Sequence, residues 1–164
     1  MNWERPKVYA VKHKDEATRA ASRSGGIFTA LSDLVLSNGG VVYGCVLTDD
    51  FDAVHIRTDN AEERNRMRGS KYIQSKLGDT FRNVKADLDV RRNVLFSGTS
   101  CQVAGLKNTL EKSMITCSAW ILSVTEYQAK KYGRHICVGK SRKCIQKLQV
   151  WTSEIRKTLD GMIM

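Results

Sequence analysis

The chain has 164 residues, a formal net charge of +10, 41% hydrophobic and 27% charged residues, which suits a packed globular domain. No apolar run reaches membrane-spanning length, and the opening stretch MNWERPKVYAVKHK lacks the apolar core of a signal peptide. The sequence therefore predicts a cytoplasmic protein with no membrane partner.

In chain order, Lys7–Lys12 carries Val8, Ala10 and Val11 and reads as a first strand. Asp15–Ala21 is polar, a short helix or loop. Ser22-Arg23-Ser24-Gly25-Gly26 is a small-residue turn, and Ser24 is the expected cap of the helix that follows. Ile27, Ala30, Leu31, Leu34 and Val35 share one helical face, and Gly39 and Gly40 should stop that helix. Val41–Leu47 (VVYGCVL) is apolar on both faces, as in a central strand. Asp49, Asp50 and Asp52 mark a turn. Val54–Thr58 alternates and predicts a half-exposed strand. Asn60-Ala61-Glu62-Glu63 resembles a capping box with asparagine as the cap, opening a helix that ends by Arg68-Gly69.

Gly69–Ser75 (GSKYIQS) is polar and holds one cation and one ring. It is either a plain surface loop or a loop over a flat anionic ligand, with Tyr72 stacking and Lys71 pairing with phosphate. Leu77, Phe81, Val84 and Leu88 form a helical stripe for core packing. Val94-Leu95-Phe96 has the length of a buried strand. Ser97–Ser100 turns, and Val103, Leu106 and Leu110 follow at helical spacing. Cys101 thus falls at a helix start, where backbone N–H groups and the peptide dipole favour anions and thiolates. A half-buried cysteine in an ordinary strand–turn–helix connection is an equally good reading.

Strands and helices alternate over residues 7–110, which predicts an α/β domain or a closely layered α+β variant. Three turns, Ser24-Gly25-Gly26, Gly69-Ser70 and Gly98-Thr99-Ser100, could bring backbone close to a cofactor. None matches GxGxxG or GxxxxGK[ST], so neither a dinucleotide-binding Rossmann fold nor a P-loop is indicated. Cys45, Cys101, Cys117, Cys137 and Cys144 form no CxxC pair, and their odd number argues against a disulfide framework.

Five stretches in order, SGGIFTAL at Ser24–Leu31, GGVVYGCVL at Gly39–Leu47, HIR at His55–Arg57, RGSKYIQSKLGDTF at Arg68–Phe81 and VLFSGTSCQVAGLK at Val94–Lys107, resemble the coenzyme F420 hydrogenase/dehydrogenase beta-subunit family. The likeness runs from about Lys7 to Leu110, and departs at Ser100, where the family usually has proline. It implies an oxidoreductase domain that moves electrons between an iron–sulfur cluster and a flavin, with F420 or another acceptor. It implies FAD and a [4Fe–4S] cluster as cofactors. It places Ser24, Gly25, Gly26, Gly69, Ser70, Lys71, Tyr72, Gly98 and Thr99 in the cofactor region, and Cys101 as a cluster ligand. The implied partner is a ferredoxin-like domain or a redox partner subunit. No catalytic residue is singled out.

Relatives often begin with a ferredoxin-like segment and continue past the last motif with DxxCHGVPS-like and FR[DN]K…GW segments. None of these is visible here. Residues 111–164 show no clear apolar period and carry Lys130-Lys131, Arg134, Lys140, Arg142-Lys143 and Lys147. We read 111–164 as an irregular, off-frame tail. Joining the last base of each codon to the first two of the next turns Trp120-Ile121 into Asp without ambiguity. Continued to Gly133, the same offset allows DxxCHGVPSKKVW. Over Trp151–Met162 it allows DFRNKKNxGWYD. The shift would lie near Leu110–Ser113, leaving a truncated and impaired copy. Cys117, His135, Cys137, Cys144 and the basic run would then be accidents of frame, and the spacing of His135, Cys137 and Cys144 suits no zinc motif.

Two alternatives compete with an electron-transfer domain. One is a basic nucleic-acid-binding protein, resting on net charge and the Lys140–Lys147 run, although no helix-turn-helix, zinc-finger or RNP signature supports it. The other is a nonfunctional frameshifted product with an exposed core.

Overall fold

The computed structural model describes residues 12–110, together with the backbone of Ala119–Val124 and Ile136–Val138. The expected strand at Lys7–Lys12 and most of the expected off-frame tail lie outside the described residues. The helices are α1 (Glu16–Ser22), α2 (Ile27–Ser37), α3 (Ala61–Asn65), α4 (Thr80–Asp89) and α5 (Ser100–Thr109). The strands are β1 (Val41–Leu47), β2 (Ala53–Thr58), β3 (Val94–Gly98), β4 (Ala119–Val124) and β5 (Ile136–Val138). They form one mixed sheet in the order β2-β1-β3-β4-β5.

The fold class is α/β with a mixed sheet. β1 pairs antiparallel with β2 and parallel with β3, β3 pairs parallel with β4, and β4 pairs antiparallel with β5. The parallel strands β1, β3 and β4 therefore end at the same edge of the sheet, the edge where ligands gather in α/β proteins.

Alternation along the strands divides the core into two layers. Val41 and Tyr43 of β1, with Val94 and Phe96 of β3, pack against Val84 and Leu88 of α4 and Val103 and Leu106 of α5. Leu77 and Phe81 join this layer, so the predicted apolar stripe is core packing. Val42, Val46 and Leu95 pack on the other face with Val35 and Met67. Gly44 is needed there: a Cβ would come within 2.8 Å of the Met67 sulfur.

Two largely buried charge networks fasten helices to their neighbours. Asp87 accepts from Tyr43 Oη at 2.6 Å, from Arg57 Nε at 2.8 Å and from Arg57 Nη2 at 3.0 Å. Arg64 is 3% exposed and fastens α3 to α2, donating to the Thr29 carbonyl at 3.0 Å, Ser32 Oγ at 2.5 Å and Asp33 Oδ1 at 2.5 Å.

Asn60 caps α3 as expected, accepting from the Glu62 and Glu63 N–H groups. Its own N–H, which a full capping box would give to Glu63, donates instead to Thr58 Oγ1 at 3.0 Å. Gly39 and Gly40 follow the end of α2, and their N–H groups donate to the Leu36 and Val35 carbonyls.

The start of α2 corrects one expectation. The N-cap is Gly26, at φ +79, with no side-chain cap bond; exposed Ser24 does not cap the helix. The turn is set instead by His13, whose N–H donates to the Gly25 carbonyl at 2.7 Å and whose Cβ would lie 2.9 Å from a Cβ at position 26. Gly26→Ala should therefore cost about 1–2 kcal/mol in urea unfolding, through positive φ and crowding together. Ser24→Ala should stay within about 0.5 kcal/mol of the parent; a large loss there would restore the capping role.

Candidate functional site

Side-chain hydrogen bonds join the loops that carry two of the three turns singled out from the sequence. The loop after α3 runs along the outer edge of β2, where His55 N–H donates to the Lys76 carbonyl at 3.0 Å and Lys76 N–H to the Ala53 carbonyl at 2.8 Å. That pairing turns Ser75 toward the sheet. Ser75 Oγ lies 2.9 Å from His55 Nδ1 and accepts from Gln102 Nε2 at 2.8 Å. Gln102 Oε1 in turn accepts from the Thr99 N–H at 2.9 Å, which secures the start of α5. His55 Nε2 is 3.1 Å from the Ser97 carbonyl, and the imidazole stacks on Phe96 with centroids 5.5 Å apart. One polar chain thus joins the Gly69–Ser75 loop, β2 and the β3–α5 turn.

Burial sets the electrostatics of this chain. It pushes the His55 pKa below its ordinary value, and the hydrogen bond to Ser97 only partly opposes it. Cys45 stands opposite His55 in the β1–β2 register. Burial raises its thiol pKa, against the opposing influence of Lys71 and of the nearby Ser75 hydroxyl. Lys71 is itself lowered by burial, with Cys45 acting the other way.

Within the loop, Gly69 has φ +77 and open space where a side chain would be. Gly69, Ser70 and Tyr72 are exposed, Tyr72 at 79%. Lys71 donates to the carbonyls of Arg66 and Arg68 at 3.0 Å and of Gly69 at 3.3 Å. It spends its donors on holding its own loop. Arg68 beside it is different: among the described residues its buried Nε has no hydrogen-bond partner, as is also true of Arg64 Nε. Burial, then the Arg64 charge, lowers the Arg68 pKa, with Asp33 opposing.

In the β3–α5 turn, Gly98 is required by its own neighbours. A Cβ there would lie 2.8 Å from Phe96 Cε1 and 3.0 Å from Gln102 Oε1. Thr99 and Cys101 are exposed, and Thr99 Oγ1 sits 3.1 Å from the Cys101 sulfur. The Ser24–Gly26 turn is held by a separate set of residues around His13 and joins none of these hydrogen bonds.

His55, Ser75, Gln102 and Arg68 are the residues that motif reasoning left without a role. All four lie inside stretches that carry the family resemblance, but nothing local marks them as partners. Among the described residues, no group of three or more His, Cys, Asp or Glu side chains is placed to hold a metal ion. No described helix is long and apolar enough to cross a membrane.

This is an α/β domain with a polar cluster at the end of its parallel strands. Its backbone is similar to a chain of the F420-reducing [NiFe] hydrogenase complex from Methanosarcina barkeri, with a TM-score of 0.54 and 18% identity. The match covers 69% of this chain and 41% of that one, so the present chain spans less than half of its structural neighbour. At that identity the likeness establishes a shared fold. No family profile matches the sequence, and no curated protein does.

Proposed function

We propose that residues 12–110 form the core of a flavin-dependent electron-transfer oxidoreductase domain of the F420 hydrogenase/dehydrogenase beta-subunit kind. The observation that carries this reading is the junction of the two cofactor turns through the Gln102–Ser75 hydrogen bond. The fold shared with a chain of an F420-reducing hydrogenase complex supports it.

The residues present fit a flavin. Open Gly69 lets a flat or anionic group approach the backbone, exposed Tyr72 offers a ring, and Arg68 has an unspent donor beside them. When bound, FAD would supply one- and two-electron transfer. Arg68 would pair with its phosphates and Tyr72 would cover a ring. Ser24, Gly25 and Gly26 sit apart from this junction and would serve the flavin only at a distance from it.

A [4Fe–4S] cluster does not fit the described residues. It takes four thiolates, and they offer exposed Cys101 and half-buried Cys45. Cys101 would be one ligand of a set completed from elsewhere. A ferredoxin-like domain or partner subunit would serve as electron donor, and F420 or another acceptor would take the electrons. Residues 12–110 hold fifteen Lys and Arg against twelve Asp and Glu, so most of the +10 charge lies outside them. The described fold therefore has no strongly basic character of the kind a nucleic-acid-binding reading needs.

Titrating the full chain with FAD and following quenching of flavin fluorescence tests the reading. Saturable binding is expected, weakened about tenfold in Arg68→Gln through loss of one charged hydrogen bond. Absence of binding by the parent chain would overturn it.

A further inference from the structure

We propose that His55, Ser75 and Gln102 form a one-way hydrogen-bond latch through which the Gly69–Ser75 loop positions the β3–α5 turn and the exposed Cys101 on it. The direction of every bond follows from its fixed ends. The Ser97 carbonyl accepts only, so His55 Nε2 must carry the proton. Its Nδ1 is then an acceptor, and Ser75 must donate its hydroxyl proton to it. The Ser75 oxygen is left to accept from Gln102 Nε2. That fixes the Gln102 amide with its oxygen toward the Thr99 N–H. Reversing any one bond sets two donors or two acceptors face to face. The chain therefore has a single satisfied arrangement, and His55, Ser75 and Gln102 are positioning residues.

The latch is built from four elements of the fold that are far apart in sequence. His55 comes from β2, Ser75 from the loop on its edge, Ser97 from β3 and Gln102 from α5. Gln102 and Phe96 also fill the space above Gly98, so the turn has little room to move while the bonds persist.

The groups facing the imidazole set its protonation. They are the Phe96 ring and Ser97 carbonyl from β3, Cys45 from β1, and Ser75 from the loop, with Lys71 acting on Cys45. Farther along β2, Arg57 and Asp87 bond each other. Among the described residues, none of the groups facing the imidazole is a carboxylate that would stabilise a second proton on His55. A proton on Nδ1 would reverse the His55–Ser75 bond: the Ser75 oxygen, with two lone pairs, would accept from both His55 and Gln102, and its hydroxyl proton would need another acceptor. Burial keeps His55 neutral near pH 7 by lowering its pKa. The inference stands on protein geometry and holds whether or not a flavin binds.

Two measurements on the full chain decide it. Long-range nitrogen–proton NMR of the parent should show the Nε2–H tautomer of His55 at pH 7.5; the Nδ1–H tautomer would overturn the proposal without any variant. Hydrogen exchange should show the Thr99 amide opening about tenfold faster in Ser75→Ala, the scale of one lost hydrogen bond, and returning toward the parent rate in Ser75→Thr. Peptide-resolved alkylation of Cys101 by iodoacetamide should change in the same variant. Faster exchange confined to the Gly69–Ser75 loop, with Thr99 unchanged, would mean that Ser75 acts only locally and would sink the latch.

Discussion

Asp87→Ala should lower stability by about 3 kcal/mol in denaturant unfolding, among the largest single losses in this domain. The Asp87 side chain is 10% exposed and receives hydrogen bonds from both Tyr43 and Arg57. Burial alone would raise its pKa, but those bonds and the charges of Arg57 and Arg92 bring it below the usual carboxylate value. Removing it strands the Tyr43 hydroxyl, whose ionisation burial and Asp87 both push to higher pH, and the Arg57 guanidinium. Because the folded pKa is depressed, the ionised network's contribution is fully present above the unfolded carboxylate's pKa near 4. It is lost as pH falls through the folded value. Asp87→Asn keeps the shape but not the charge, so it should lose less than alanine and should remove this acid-dependent part. A flat response to both changes would mean the network contributes nothing net.

The second large effect concerns the gene. If residues 111–164 are read out of frame, the third bases of codons 123, 124 and 125 must be T, C and G. Only those bases turn Ser123-Val124-Thr125-Glu126 into Cys-His-Gly. The protein sequence leaves all three free, so DNA sequencing reads them independently. Other bases there, in an intact gene whose full-length product is confirmed by peptide mapping to Met164, would dispose of the idea. If the bases agree, a one-base correction between codons 110 and 113 should yield a protein that retains flavin through gel filtration and holds it more tightly than the present chain. The hidden Cys-His-Gly segment would also add a cysteine toward the cluster that Cys101 alone leaves incomplete.

Much of the fold was legible because its signals are local. Gly39-Gly40 after a 3.6-residue stripe ends α2, VVYGCVL makes a strand buried on both faces, and Asn60 caps α3. Each needs only near neighbours in sequence. The capping of α2 was misread because the competing influence, His13, lies on the far side of α1. Val54–Thr58 is half exposed, as its alternation predicts. What its polar side meets is not legible from alternation: His55 stacks on Phe96 and Arg57 bonds Asp87 of α4.

The candidate site divides along the same line. Residue types and spacing alone were enough to pick out Gly69–Tyr72 and Gly98–Cys101 as unusual turns at element boundaries, since small residues and a helix start are local properties. That the loop after Gly69 ends in a bond from Ser75 to Gln102 beside the second turn, while Ser24–Gly26 stays apart, depends on strand order and on β2 folding back beside β1. So does the role of His55, Ser75 and Gln102, which acquire partners only when four distant elements meet. A hydrogen bond such as Gln102–Ser75 spans 27 residues and leaves no periodic trace in the chain. Only packing decides it, because an amide or hydroxyl suits solvent equally well until the sheet closes over it.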